Sequence, residues 1–260
     1  MQAVLLTSIN AISHRLHSRS RTVLNKLESD APSLIRWWLM VVVAACAMRI
    51  LASPLSRLEP ASLLPYLVLI AAPIASLWVG LRCFQHGETM TQPSHRLSVV
   101  GRWRNLSLNE AKQHAVFGTS GIMVSLLVGM LLNVPVRAAE YLMIMPAMPR
   151  DVPGWLSTLH FAMTLDVVVL SSLYVIAFAM ALRRVPSFPR FLLLVWMIDI
   201  CAQLLIANTV AGQLPAGISA SLSDLLQGNV TKVMISMAIW LPYLILSKRV
   251  NVTYRHRVPA

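Results

Sequence analysis

The sequence predicts an all-α, polytopic integral membrane protein with six transmembrane helices and both termini in the cytoplasm. Three observations lead there. Only 12% of the 260 residues are charged and 57% are apolar, whereas a soluble domain carries about a quarter charged and about half apolar. Charge this scarce cannot clothe a water-facing surface. Six stretches approach the roughly 20 apolar residues that a helix needs to cross a hydrocarbon core of about 30 Å. The basic residues, finally, are concentrated in alternate connecting segments.

Taken in order, Pro32 and Ser33 are good helix-start residues and open the first span, Ile35 to Ser53. The second span is Ala61 to Leu81, with Pro73 in its middle. The third is Val116 to Val134, stopped by Pro135. The fourth, Trp155 to Leu182, is long enough to be tilted. Phe191 to Gly212 and Val230 to Leu246 complete the set. Trp37, Trp38, Trp155 and Tyr243 fall near span ends, where aromatic rings favour the interface. Pro135 to Gly154 reads as a short piece lying against the outer face. Gln213 to Asn229 reads as a short amphipathic helix through Ile218, Leu222, Leu225 and Leu226.

The remaining segments are polar and basic. Residues 1–34 set Leu5, Ile9, Ile12 and Leu16 at helical spacing among Arg15, Arg19, Arg21 and Lys26, which predicts an amphipathic helix on an anionic inner leaflet. Residues 83–115 form a connector that divides spans one and two (35–82) from spans three to six (116–247), and 248–260 form a tail. Lys and Arg number five through Arg36, five from Arg82 to His114, three from Arg183 to Arg190 and four after Leu246. The opposite loops hold Arg57, Arg137 and Arg150. That asymmetry places the basic segments in the cytoplasm. It also accounts for the net charge of +12 without nucleic acid.

Charged groups inside a span are expensive and usually have a partner. Asp166 and Asp199 lie at similar depths in spans four and five, counting about 1.5 Å per residue. Arg49 is expected to pair with Asp166, Gln203 to bond Asp199 from one turn further on, and His160 to sit near the outer face. Small residues let membrane helices approach closely. Ala72, Ser76 and Gly80 stripe span two, and Gly121, Ser125 and Gly129 stripe span three, so the two stripes are expected to face each other.

Catalytic chemistry is poorly represented. Cys46, Cys83 and Cys201 form no CxxC pair, no His pair has metal spacing, and no phosphate-binding loop is present. Neither a cofactor nor a metal is expected. Gly118-Thr119-Ser120-Gly121 resembles the GxSG helix start of rhomboid intramembrane proteases, whose serine pairs with a histidine on a later span. The orientation places Ser120 near the cytoplasmic face and His160 near the outer one, beyond the hydrogen-bond reach of about 3 Å that a dyad needs.

The end of the chain carries a second likeness. Ile239-Trp240-Leu241-Pro242-Tyr243, then Ser247-Lys248-Arg249-Val250 and Thr253, with Phe188-Pro189-Arg190 upstream, resembles the DUF2569 family of uncharacterised bacterial inner-membrane proteins over about residues 155–256. The resemblance implies a helical protein of the bacterial inner membrane and supplies no catalytic residues. The leading expectation is a non-enzymatic accessory or scaffold subunit of an envelope complex, with a membrane-protein partner or a second copy of itself. The alternatives are a proton- or ion-coupled carrier using Asp166 and Asp199, and an intramembrane serine hydrolase.

Overall fold

A computed structural model describes residues 20, 22–25, 31–53, 60–94, 97, 101–147, 152–210 and 216–260. The predicted amphipathic positions Leu5 to Leu16 lie outside these residues, as do Arg57 and Arg150.

Among the described residues, six helices are long and apolar enough to cross a membrane. They are α1 (Ala31–Ala52), α2 (Pro60–Cys83), α4 (Ile122–Ile144), α5 (Gly154–Leu182), α6 (Phe188–Val210) and α7 (Ala216–Leu246), with a short α3 (Leu108–Gln113) in the connector and α8 (Lys248–Arg255) in the tail. The chain is an all-α polytopic membrane protein. Two boundaries depart from expectation. Helix α4 begins at Ile122 and continues through Pro135 to Ile144; membrane helices tolerate proline where neighbours satisfy the freed backbone groups. Helix α7 runs unbroken from Ala216 and absorbs the separate short helix expected there.

Helix α5 is the most buried of the six. It packs against α2, α4 and α6, while α7 packs on α6, and α1 lies against α4 and α2. The expected contact between the stripes of spans two and three is therefore corrected: Gly80 meets α5, where an added Cβ would stand 2.8 Å from the Ala179 Cβ. Ser125 and Gly129 are exposed. Gly121 sits at the N-cap of α4 with φ 76°, a conformation that favours glycine. Gly118 has φ 104°, so the glycines of the GTSG sequence turn the backbone into α4.

Among the described residues, two large apolar cores fill the helical bundle. One gathers Leu127, Val134, Leu170, Phe178, Leu192, Trp196, Val233 and Leu244. The other gathers Tyr66, Leu69, Ala138, Tyr141, Val167, Ile206, Leu222 and Leu226. Along each of α4 to α7 the chain leaves one core and enters the other at a polar residue or within a few residues of one: Arg137, Asp166, Asp199 with Gln203, and Asn229.

At one end of the bundle the connector and the tail fold together. Strand β1 (Trp103–Asn105) pairs antiparallel with β2 (Arg257–Pro259), with Arg104 opposite Val258. Ala111, Val252 and Val258 form a small core beneath them. Ser107 and Glu110 close a capping box at the start of α3. The Tyr254 hydroxyl donates to the Ala181 carbonyl at 2.8 Å, and Glu88 binds both Lys112 (2.5 Å) and Arg184 (3.2 Å). The connector, the α5–α6 turn and the tail thus share one end, as their common basic character predicts.

Candidate functional site

The polar layer between the two cores is the chemically distinctive part of the protein. Arg137, from the middle of α4, stands at its centre. One guanidinium nitrogen donates to Asp166 Oδ2 on α5 at 3.2 Å, and the other engages Asp199 Oδ2 on α6. All three side chains are less than a tenth exposed, and Asp199 is fully buried. The planar fork of arginine suits it to hold two carboxylates at once. The Tyr174 hydroxyl donates to the same Asp199 oxygen at 2.9 Å. The Gln203 amide donates to Asp166 Oδ1 at 2.9 Å. Asn229 of α7 donates to the Gln203 carbonyl oxygen at 3.3 Å, and Lys232 donates to the Asn229 carbonyl oxygen at 3.3 Å. Lys232 also pairs with Glu140 of α4. A continuous polar chain thus runs from Asp199 through Arg137, Asp166, Gln203, Asn229 and Lys232 to Glu140.

This chain borders a cavity of about 240 Å³ between α4 and α7, lined by Asn133, Arg137, Glu140, Tyr174, Lys232 and Trp240 among others. Glu140 and Lys232 form its rim, with 21% and 59% of their side chains exposed. From Arg137 the groove runs along the first core, whose Leu126, Met130, Trp196 and Val233 also line it. Arg137 and Tyr174 line the groove, so the cluster is reached through it.

Two features separate this cluster from a simple buried ion pair. Arg137 and Lys232 face Asp166, Asp199 and Glu140, so the group carries one excess negative charge when every member is ionised. Asp199 Oδ1 and Arg137 Nε are buried with no hydrogen-bond partner among the described residues. Buried polar groups are ordinarily satisfied, and an uncompensated charge at low dielectric is costly.

The structure brings together Asp166, Asp199 and Gln203 and separates Arg49 and His160 from them. The expected Arg49–Asp166 pair is corrected, because Arg49 donates through Nε to the Met145 carbonyl at 2.9 Å, beyond the last turn of α4. Gln203 bonds Asp166 and not Asp199. His160 lies 3.2 Å from the Tyr141 hydroxyl, which also contacts Thr164 at 2.7 Å. Sequence reasoning missed Arg137, Tyr174, Asn229 and Glu140. A signal for Arg137 was available: Leu127, Met130, Val134, Arg137 and Tyr141 keep helical spacing straight through Pro135.

The serine-hydrolase geometry fails. Tyr141 binds His160 near one end of α4, and Ser120 precedes its other end, about 30 Å away at helical rise. The Ser120 hydroxyl instead accepts from Arg249 at 2.9 Å. Among the described residues no group of three His, Cys, Asp or Glu side chains could hold a metal.

No family model, curated protein or solved structure matches this chain. Fold alone does not give function, and the polar layer is the place to read it.

Proposed function

We propose that this protein is a small, non-enzymatic, proton- or cation-coupled carrier of the bacterial inner membrane, with its basic end in the cytoplasm and Arg137, Asp166 and Asp199 as its coupling site. The observation that carries the reading is the ratio of two buried carboxylates to one guanidinium, in a network that reaches the rim of a cavity. Ionisable residues buried within membrane spans mark ion and proton pathways. One proton or one cation removes the excess charge, and its departure restores it. The groove lined by Arg137 and Tyr174 is a route by which a proton or cation can reach the pair.

The test is flux. Purified protein in proteoliposomes with an imposed pH gradient is expected to dissipate it faster than empty vesicles when a transported cation is supplied. Asp166→Asn and Asp199→Asn should each abolish that difference. Wild-type flux equal to that of empty vesicles across a panel of cations would sink the reading.

The near-complete burial of the cluster favours a second reading, in which the network only fixes helix register in an accessory or scaffold subunit. Buried ion pairs serve specificity in some systems. Purification from native membranes separates the two. A stoichiometric partner, with activity of the complex insensitive to Asp166→Asn, would support the scaffold.

A further inference from the structure

Resting on the carrier reading, we infer that the groove between α4 and α7 is the substrate site and takes a lipophilic organic monocation, an ammonium head on an apolar tail. The charge of the site sets the class. Arg137 and Lys232 against Asp166, Asp199 and Glu140 leave the cluster one positive charge short. At low dielectric that deficit favours a monocation over a neutral or anionic ligand. The orphaned atoms add an independent sign of a built site: Asp199 Oδ1 and Arg137 Nε are buried without partners among the described residues, and Arg137 itself lines the groove.

The walls suit the rest of such a molecule. Trp196, Trp240 and Tyr174 bring aromatic rings to the lining, with the Arg137 guanidinium already 5.8 Å from the Tyr174 ring, and Leu126, Met130 and Val233 offer apolar surface to a tail. The volume of about 240 Å³ lies just under the roughly 300–1,000 Å³ of drug-sized pockets. The head and the first part of the tail enter the groove, and the remainder stays among the lipid chains. Lys232 already holds an ammonium against Glu140. Its side chain is more than half exposed, so the substrate head can enter beside it without displacing it, and the added charge makes the cluster neutral.

A proton on the aspartate pair supplies the same single charge as the substrate. Proton and cation therefore compete, and binding of one releases the other. The titratable groups around the pair are Arg137 and Glu140 from α4, Tyr174 from α5 and Lys232 from α7.

Full-length protein in nanodiscs is titrated calorimetrically with decyltrimethylammonium and with decanol, each corrected for partitioning into empty nanodiscs. Saturable binding of the cation alone is expected, with about one proton released per cation in weakly buffered solution. Glu140→Gln, at the groove rim, should weaken binding about tenfold, the scale of one lost charge-assisted contact. Asp166→Asn should remove the proton release, with gel filtration checking that both variants remain monodisperse. Equal binding of decanol, no proton release, or full affinity in Glu140→Gln would each overturn the proposal. If the cation fails to bind while Asp166-dependent flux of another ion persists, the substrate class falls and the carrier reading stands. If both fail, both fall.

Discussion

Arg137 answers two aspartates with one charge, and that imbalance makes an unusual mutational prediction. Removing a partner from a buried 1:1 pair typically costs about 3–5 kcal/mol. Here Asp166→Asn or Asp199→Asn leaves a balanced pair, so each single variant should match or exceed the wild-type thermal stability in detergent. The double variant strands the guanidinium and should lose about 3–5 kcal/mol, as should Arg137→Ala, which strands both carboxylates. Additive losses in a double-mutant cycle would show that the excess charge is already neutralised. Asp166, Asp199 and Gln203 were legible in the sequence because polar residues stand out in apolar spans. Arg137 was not, because Pro135 two residues earlier reads as a helix stop and sends everything after it into a loop. Arg49 was a cation within a predicted span, and its place in the sequence gives no indication that it bonds the Met145 carbonyl.

At the scale of elements, hydropathy located all six spans, because each must satisfy its own backbone and face lipid. Which face meets which neighbour was much less legible. A spacing of four small residues marks a face suited to close approach, but small residues occur on many membrane helices. Gly80 of the α2 stripe meets α5, the most buried helix, and the stripe of α4 is exposed at Ser125 and Gly129. The Gly80–Ala179 contact turns this into a test. Gly80→Ala places a methyl 2.8 Å from the Ala179 Cβ and should destabilise by about 1–3 kcal/mol, as overpacking does. Adding Ala179→Gly should recover most of that loss in thermal melts. An unchanged melting temperature in Gly80→Ala would mean that α2 and α5 are not in close contact there.

At the scale of the molecule, the cap tests both orientation and pH response. Cys83, at the capped end of α2, and Cys201, in the middle of α6, are both exposed. A membrane-impermeant maleimide should label Cys83 only after cells are permeabilised, and should not reach Cys201 in hydrocarbon. Labelling of Cys83 on intact cells would invert the topology. Partial burial alone would raise the Glu88 pKa, but Lys112 and Arg184 hold it below the ordinary carboxylate value of 4.5. A depressed carboxylate stabilises fully above its unfolded pKa and loses that contribution as pH falls through the folded value. Hydrogen exchange at Gly87–Thr89 should therefore quicken as pH drops below about 4.5 after correction for intrinsic rates. Glu88→Gln should exchange quickly at every pH. The shared end of the basic segments was legible from charge, but their folding into one unit was not, since three-residue strands leave little pattern to read.

The pairing of Asn105 with Arg257 also sets a timetable for manufacture. Translation proceeds at roughly 5–20 residues per second, so the β1 strand waits on the order of 8–30 s for its partner to be made. Four membrane helices are laid down in that interval while the connector stays open to whatever handles nascent chains. The cap closes only once Arg257 to Pro259 have emerged, and a chain that stops before them leaves that end of the molecule unsealed.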